Sequence, residues 1–159
     1  MEYNMEYRMY CLVERHLSPV QKAIQSTHAI VDFIGYTTPT DEHAVAIAQW
    51  MDTDKTIIIL DGGNSDDMET DLAILKNHNI SFAEFHEPDM GGFRTAICFL
   101  ADDRVWDYET YGRSYEDYQR MCEHNCELPK WSHNEWLNVI GGTQNEILKE
   151  IVATKRLAV

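Results

Sequence analysis

Within LSPVQKAIQSTHAIVDF (17–33), four polar side chains fall on one face if the stretch is helical. With Gln21 as zero and about 100° per residue, Gln25 lies near ~40°, His28 near ~-20° and Asp32 near ~20°. Primary amides and an imidazole can each donate and accept, so this narrow stripe could read the polar edges of a ligand. It could equally be the solvated face of an amphipathic helix. Lys22 stands about 100° from the stripe, beside Ser26 and Ala29. A second chemically equipped segment is EPDMGGFRT (87–95). There Glu87 and Asp89 could accept from hydroxyl or N–H groups, and Arg94 could meet a phosphate, as could Lys22. Gly91 and Gly92 would let backbone N–H groups approach a ligand closely, and Thr95 supplies a hydroxyl. On its own, PDMGG also reads as a tight turn between strands.

Other segments carry weaker signals. CEHNC (122–126), with His133, has soft ligand types but lacks the paired short spacings of a structural zinc site. DGGNSDD (61–67) lacks the ligand offsets of a calcium loop. No phosphate-loop pattern and no G-x-S-x-G elbow occur. No metal and no cofactor are expected.

The elements that position these groups are marked by their own residues. YRMYCLVE (7–14) reads as a buried strand. Ser18 then caps a helix, with Pro19 at the first helical position and Gln21 completing a capping box. That helix should reach Phe33 or Ile34 and stop at Gly35. Its core side is expected at Val20, Ile24, Thr27, Val31 and Ile34, with Ala23 and Ile30 behind. Thr38 or Thr40 should cap a second helix ending near Met51, and KTIIIL (55–60) is a β-branched strand. Asn64 or Ser65 can cap a third helix whose first turn is acidic, as the helix dipole favours. Residues 80–87 and 93–101 read as two more strands. The order predicts an α/β fold: a three-layer sandwich with a mixed, mostly parallel four-stranded sheet and flanking helices. Residues 1–106 would form this domain. Residues 107–159 would form a C-terminal helical extension, broken at Gly141-Gly142, packed on the domain or on a partner subunit. The extension has little apolar content for a core of its own, so Tyr108, Tyr111, Tyr115, Tyr118, Trp131 and Trp136 are expected at a subunit interface, and a homo-oligomer follows.

With 159 residues, one domain with a real core is expected. The formal charge of -14 disfavours a broad nucleic-acid footprint, which rests on cationic contacts to phosphates. The 13 basic residues are scattered, and Lys155-Arg156 is their only adjacent pair. No run approaches a membrane span, and MEYNMEYR lacks the layout of a signal peptide. Four cysteines without such a signal point to reduced thiols and a cytoplasmic setting, with no membrane partner.

A strand ending in LVER, followed by a capped helix with QSTHA, resembles the start of the archaeal–eukaryotic (second) type of peptidyl-tRNA hydrolase. That family's helix carries G-K-x-A-A-Q-x-x-H-A, and Gln25, His28 and Ala29 match its Q-x-x-H-A part. The resemblance runs through KTIIIL, METDLAILKNHNI, SFAEFHE and EPDMGGFRTAICFL, over about residues 7–103. Glu87 and Thr95 match the family's acidic residue and threonine. The chain also looks like divergent phage members of the superfamily, whose C-terminal helix residues 139–158 resemble.

The departures are specific. The family's catalytic lysine stands four residues before the glutamine, where this chain has Gln21, and Lys22 is one step out of register. Glu87 replaces the usual aspartate. The resemblance therefore implies a pocket frame of Gln21, Gln25, His28, Glu87, Asp89, Gly91, Gly92, Arg94 and Thr95 gathered at one end of the sheet. The expected function is non-catalytic binding of a small nucleotide-like ligand, on the phage resemblance one that sequesters a host immune signal in the host cytoplasm. One alternative is a peptidyl-tRNA hydrolase using Lys22, Glu87 and Thr95. The other is an acidic protein-interaction module.

Overall fold

The structure, a computed structural model, describes residues 4–36 and 41–159. The two candidate caps of the second helix, Thr38 and Thr40, lie outside the described residues. A four-stranded sheet in the order β2-β1-β4-β3 forms the middle layer. Its strands are β1 (Tyr7–Val13), β2 (Thr56–Asp61), β3 (Ala83–Glu87) and β4 (Phe93–Asp102). The sheet is mixed, as the element order predicts, but it is not mostly parallel. Only β1 and β2 run parallel, joined by a helical crossover, while β4 is antiparallel to both β1 and β3. The short connection from β3 to β4 makes that pair a hairpin, and β4 then enters beside β1 from the opposite direction.

Helix α1 (Pro19–Tyr36) covers one face of the sheet, joined by α2 (Asp41–Gln49) and a single π-type turn at Trp50–Asp54. Met9, Cys11, Val13, Ala96 and Cys98 meet Ala29, Ile30, Phe33, Ile47 and Trp50 there. On the other face, Tyr10, Leu12, Leu60, Ile97 and Phe99 pack against Met68, Leu72 and Leu75 of α3 (Ser65–Asn77). Leu148, Ile151 and Val152 of α8 (Thr143–Ala153) complete that layer. The C-terminal extension therefore supplies part of the main core. Asn64 caps α3 through a reciprocal box with Asp67.

The extension also builds a small core of its own, contrary to the sequence-based expectation. Short helices α4 (Asp103–Trp106) and α5 (Tyr108–Tyr111) lead into α6 (Tyr115–His124) and α7 (His133–Ile140). Tyr118, Trp136 and Ile140 are buried together, flanked by Tyr111, Tyr115 and Trp131. These rings are among the largest side chains a core can bury, so few apolar positions suffice. The buried polar tips are satisfied within the segment: Trp136 Nε1 donates to Tyr111 O (2.8 Å) and Tyr115 Oη to Trp131 O (3.0 Å). Gly141, at φ 95°, ends α7 and separates it from α8, which is the predicted break.

Helix α1 is rotated from its expected orientation. Its buried side is Lys22, Gln25, Ser26, Ala29, Ile30 and Phe33. The stripe predicted as core faces outward: Val20 is 69% exposed, Ile24 46% and Val31 61%. Small Ser26 and Ala29 let the helix approach the sheet closely, so that Cys98 Sγ reaches Ala29 O at 3.2 Å. Phe33 and Ile30 then fill the space beyond. The rotation is compatible with burying Lys22 and Gln25 because both find partners.

The outer edge of β2 is paired by the chain's last described residues. Leu60 bridges Leu157 in antiparallel fashion, Asp61 N–H donates to Arg156 O (2.9 Å) and Ala158 N–H to Ile59 O (2.9 Å). Residues 156–158 thus cover that edge of the sheet.

Candidate functional site

The predicted Ser18 cap and Gln21 box form: Gln21 N–H donates to Ser18 Oγ (3.3 Å) and Ser18 N–H to Gln21 Oε1 (3.1 Å). This capping fixes the register of α1, and one turn later it places Gln25 against the sheet. Gln21 is thus an exposed side chain in the first turn of α1, engaged by its own cap.

Thr95 arrives at the same place through a β-bulge. Phe85 pairs with Ala96 but His86 pairs with Arg94, so β4 carries one extra residue, Thr95, opposite β3. A bulge re-aims side chains that strand alternation would send to the other face. Alternation puts Ala96 and Cys98 toward α1 and Ile97 toward α3. Thr95 would otherwise point toward α3, yet its hydroxyl donates to Gln25 Oε1 at 2.7 Å. The register shift opposite Phe85 and His86 is set by pairing with β3 and is not marked in the local sequence FRTAICF.

Glu87 closes the chain of contacts. Its Oε2 accepts from Gln25 Nε2 (2.7 Å) and its Oε1 from Asp89 N–H (3.2 Å). His28 Nδ1 lies 3.9 Å from the same carboxylate, and the His28 ring packs on Phe85 with centroids 4.5 Å apart. The Gln25 amide beside Glu87, followed by the Asp89 N–H, holds its carboxyl below the ordinary 4.5; desolvation opposes this, and His28 adds to it. The result is a relay, Thr95 to Gln25 to Glu87, in which Thr95 is fully buried and Gln25 nearly so. His28 and Glu87 form its outer rim.

The remaining predicted residues are placed differently. Lys22 is buried, and its Nζ donates to the backbone oxygen of Val159 at 2.7 Å; it forms no ion pair with Glu87. Arg94 lies on the α3 side of the sheet, where Glu84 (2.8 Å) and Glu69 (2.7 Å) hold it. It therefore does not join the group around Gln25, because alternation at β4 resumes on either side of the bulge. The Gly91 and Gly92 N–H groups close the loop itself, donating to Pro88 O (3.2 Å) and Glu87 O (3.0 Å). Both glycines have φ near +70°, at 69° and 75°, which is why the loop needs them. Asp89 is exposed beside them. Among the described residues, no group of three or more His, Cys, Asp or Glu side chains is placed to hold a metal ion.

A second constellation lies where sequence reading placed nothing. A cleft of about 640 Å³ opens at the carboxyl ends of β1 and β2, lined by Arg15, Asp61, Asp67, Asp71, Lys155 and Arg156 among others. Arg15 Nε lies 3.1 Å from Asp61 Oδ2, Arg156 Nε 3.6 Å from the same oxygen, and Lys155 Nζ 2.9 Å from Asp71 Oδ2. Burial alone would raise the Asp61 carboxyl, but the Gly63 N–H and Arg15 outweigh it and set it below the ordinary 3.8. The adjacent pair Lys155-Arg156 was the one sequence signal available; its neighbours come from chain positions about a hundred residues away. Set against protein-family models and against curated proteins, the chain matches none.

Proposed function

We propose that this chain is a non-catalytic binding protein for a small nucleotide-like ligand. One observation carries the non-catalytic part: the Lys22 ammonium is engaged by Val159 O instead of standing beside Glu87 and Thr95. Ester hydrolysis on the resembled plan needs a positioned cation for the developing oxyanion and an accessible nucleophile or water. Thr95 is fully buried and donates its proton to Gln25, so its oxygen is not presented to a substrate. The ligand class is drawn from the family resemblance, and the charge of -14 favours a small ligand over an extended nucleic acid.

The test pairs two assays. A thermal-shift screen with ribonucleotides should raise the melting temperature, because a ligand bound only by the native state stabilises it by mass action. Diacetyl-lysyl-tRNA should not be turned over. Turnover that disappears in Lys22→Ala would overturn this reading in favour of a hydrolase. Absence of both a nucleotide shift and turnover would overturn it in favour of a protein-interaction module.

A further inference from the structure

We infer that the ligand's phosphate is held in the cleft at the carboxyl ends of β1 and β2, between the guanidinium groups of Arg15 and Arg156, and not on the face carrying Gln25 and Glu87. The inference rests on the binding reading above and assigns its site.

Both arginines are ion-paired with one carboxylate, Arg15 by hydrogen bonds and Arg156 at longer range. Asp61, the last residue of β2, is itself fixed by the Gly63 N–H to its Oδ1 (2.8 Å). Arg15 Nε lies 3.3 Å from Oδ1 and 3.1 Å from Oδ2. Arg156 approaches Oδ2 by its Nε as well. The backbones are tied to the same spot, since Arg15 N–H donates to Gly63 O (2.9 Å) and Asp61 N–H to Arg156 O (2.9 Å). Only the Arg15 Nε is hydrogen-bonded, and the Nη groups of both guanidinium groups have no hydrogen-bond partner among the described residues. The side chains are 51% and 80% exposed, which leaves those Nη groups available to a ligand. Two such forks converging on one space suit the three acceptor oxygens of a phosphate.

The rest of the lining favours a phosphate ester over a bare anion. About 640 Å³ is far more than a phosphate fills and lies in the ordinary range for small-molecule sites. Asp67 and Asp71 face the same cleft with one carboxylate oxygen each (Oδ2) engaged, by Asn64 N–H and Lys155 respectively. Their other oxygens can accept from ribose hydroxyls or base amino groups. Six charged side chains of both signs therefore match a molecule that carries anionic and donor groups together. In open α/β sheets ligands settle outside the carboxyl ends of the strands, and this cleft lies outside the one parallel pair. Three of the chain's 13 Lys and Arg residues converge here, so an otherwise acidic molecule is locally balanced in charge at this cleft.

The experiment compares wild type, Arg15→Gln, Arg156→Gln, the double variant and Arg156→Lys by calorimetric titration. The probes are the four ribonucleoside 5′-diphosphates, the corresponding nucleosides and inorganic phosphate. Circular dichroism melts without ligand check that each variant is folded. At least one diphosphate should bind wild type, its nucleoside and inorganic phosphate far more weakly. Affinity should fall about tenfold in each Gln variant and about a hundredfold in the double variant. Arg156→Lys keeps the charge and the tail contact but loses the fork, and should bind a few-fold more weakly. Equal binding by wild type and the double variant would overturn this site while leaving the binding reading intact. No binding of any diphosphate to wild type would overturn this site as well, while the thermal-shift screen across all ribonucleotides decides the binding reading separately.

Discussion

Replacing Gln25 by Leu should destabilise the fold by stranding the Thr95 hydroxyl, besides removing the amide donor to Glu87. Thr95 is fully buried, and its only other acceptor among the described residues is Phe85 O at 3.4 Å, a poor substitute for Gln25 Oε1 at 2.7 Å. Leaving a buried hydroxyl without a good partner costs about 1–3 kcal/mol. Thr95→Val strands the Gln25 carbonyl oxygen instead and should cost a similar amount. The double variant Gln25→Leu/Thr95→Val removes both partners together and should be more stable than the sum of the single effects by about 1–2 kcal/mol. Urea unfolding followed by tryptophan fluorescence measures all four corners of this cycle. At a slope of about 2 kcal/mol/M, each single variant should shift the midpoint by roughly 0.5–1.5 M. A third substitution tests the other end of the relay. Gln25→Glu faces Glu87 with a second carboxylate, so it should be least stable near neutral pH and recover as acid supplies a shared proton. In wild type the sign is opposite. Glu87 is held below 4.5 in the folded chain, so its stabilisation is present above that value and is lost as pH falls through the folded one. Additive single effects, or a Gln25→Glu variant that tracks wild type at every pH, would refute the relay.

Three further outcomes follow from other parts of the molecule. Burial pushes Lys149 down to about 8 from the ordinary 10.5, so between those values the unfolded chain binds the extra proton and stability rises with pH, by up to about 1.4 kcal/mol per pH unit. Cys11, pushed up to about 12 by burial, and Cys98, also raised, act in the opposite direction above their ordinary 9.0. Urea midpoints should therefore rise from about pH 7.5 to 9 and then turn down, and Lys149→Met should abolish the rise. The rotation of α1 is checked by a contrast: Phe33→Ala should cost about 3–5 kcal/mol, whereas Val31→Gln should stay within about 0.5 kcal/mol. If Val31 were the core residue, the order would reverse. Trp136→Ala should cost about 3–5 kcal/mol and erase much of the near-ultraviolet dichroism, because this ring is the centre of the small C-terminal core.

Local chemistry made much of the fold readable. Ser18, Pro19 and Gln21 marked the start of α1, Asn64 the start of α3 and Gly141-Gly142 the break before α8, because caps and positive-φ glycines act within a few residues. The β-branched run of β2 and the apolar run of β1 were equally plain. The glutamine–acid–threonine grouping was legible only through the family resemblance, since Gln25 and Thr95 are 70 residues apart.

What the chain's own pattern left open was decided by packing between elements. The α1 sequence offers two faces: one of Val20, Ile24 and Val31, the other of Ala29, Ile30 and Phe33 with polar neighbours. Amphipathicity favours the first, and only the partners waiting on the sheet, Thr95, Glu87 and Val159 O, make the second the buried one. Arg94 and Thr95 are adjacent in sequence, yet a bulge measured against β3 sends them to different sides of the sheet. The cleft of Arg15, Asp61 and Arg156 exists because residues 156–158 pair with the edge of β2, a contact between ends of the chain that no local spacing encodes. Sequence alone marked the starts of α1 and α3 and the break before α8, since those signals are short-ranged. Which side chains meet, and hence which groups can bind or react, was settled by non-local pairing and by the need to satisfy every polar group buried along the way.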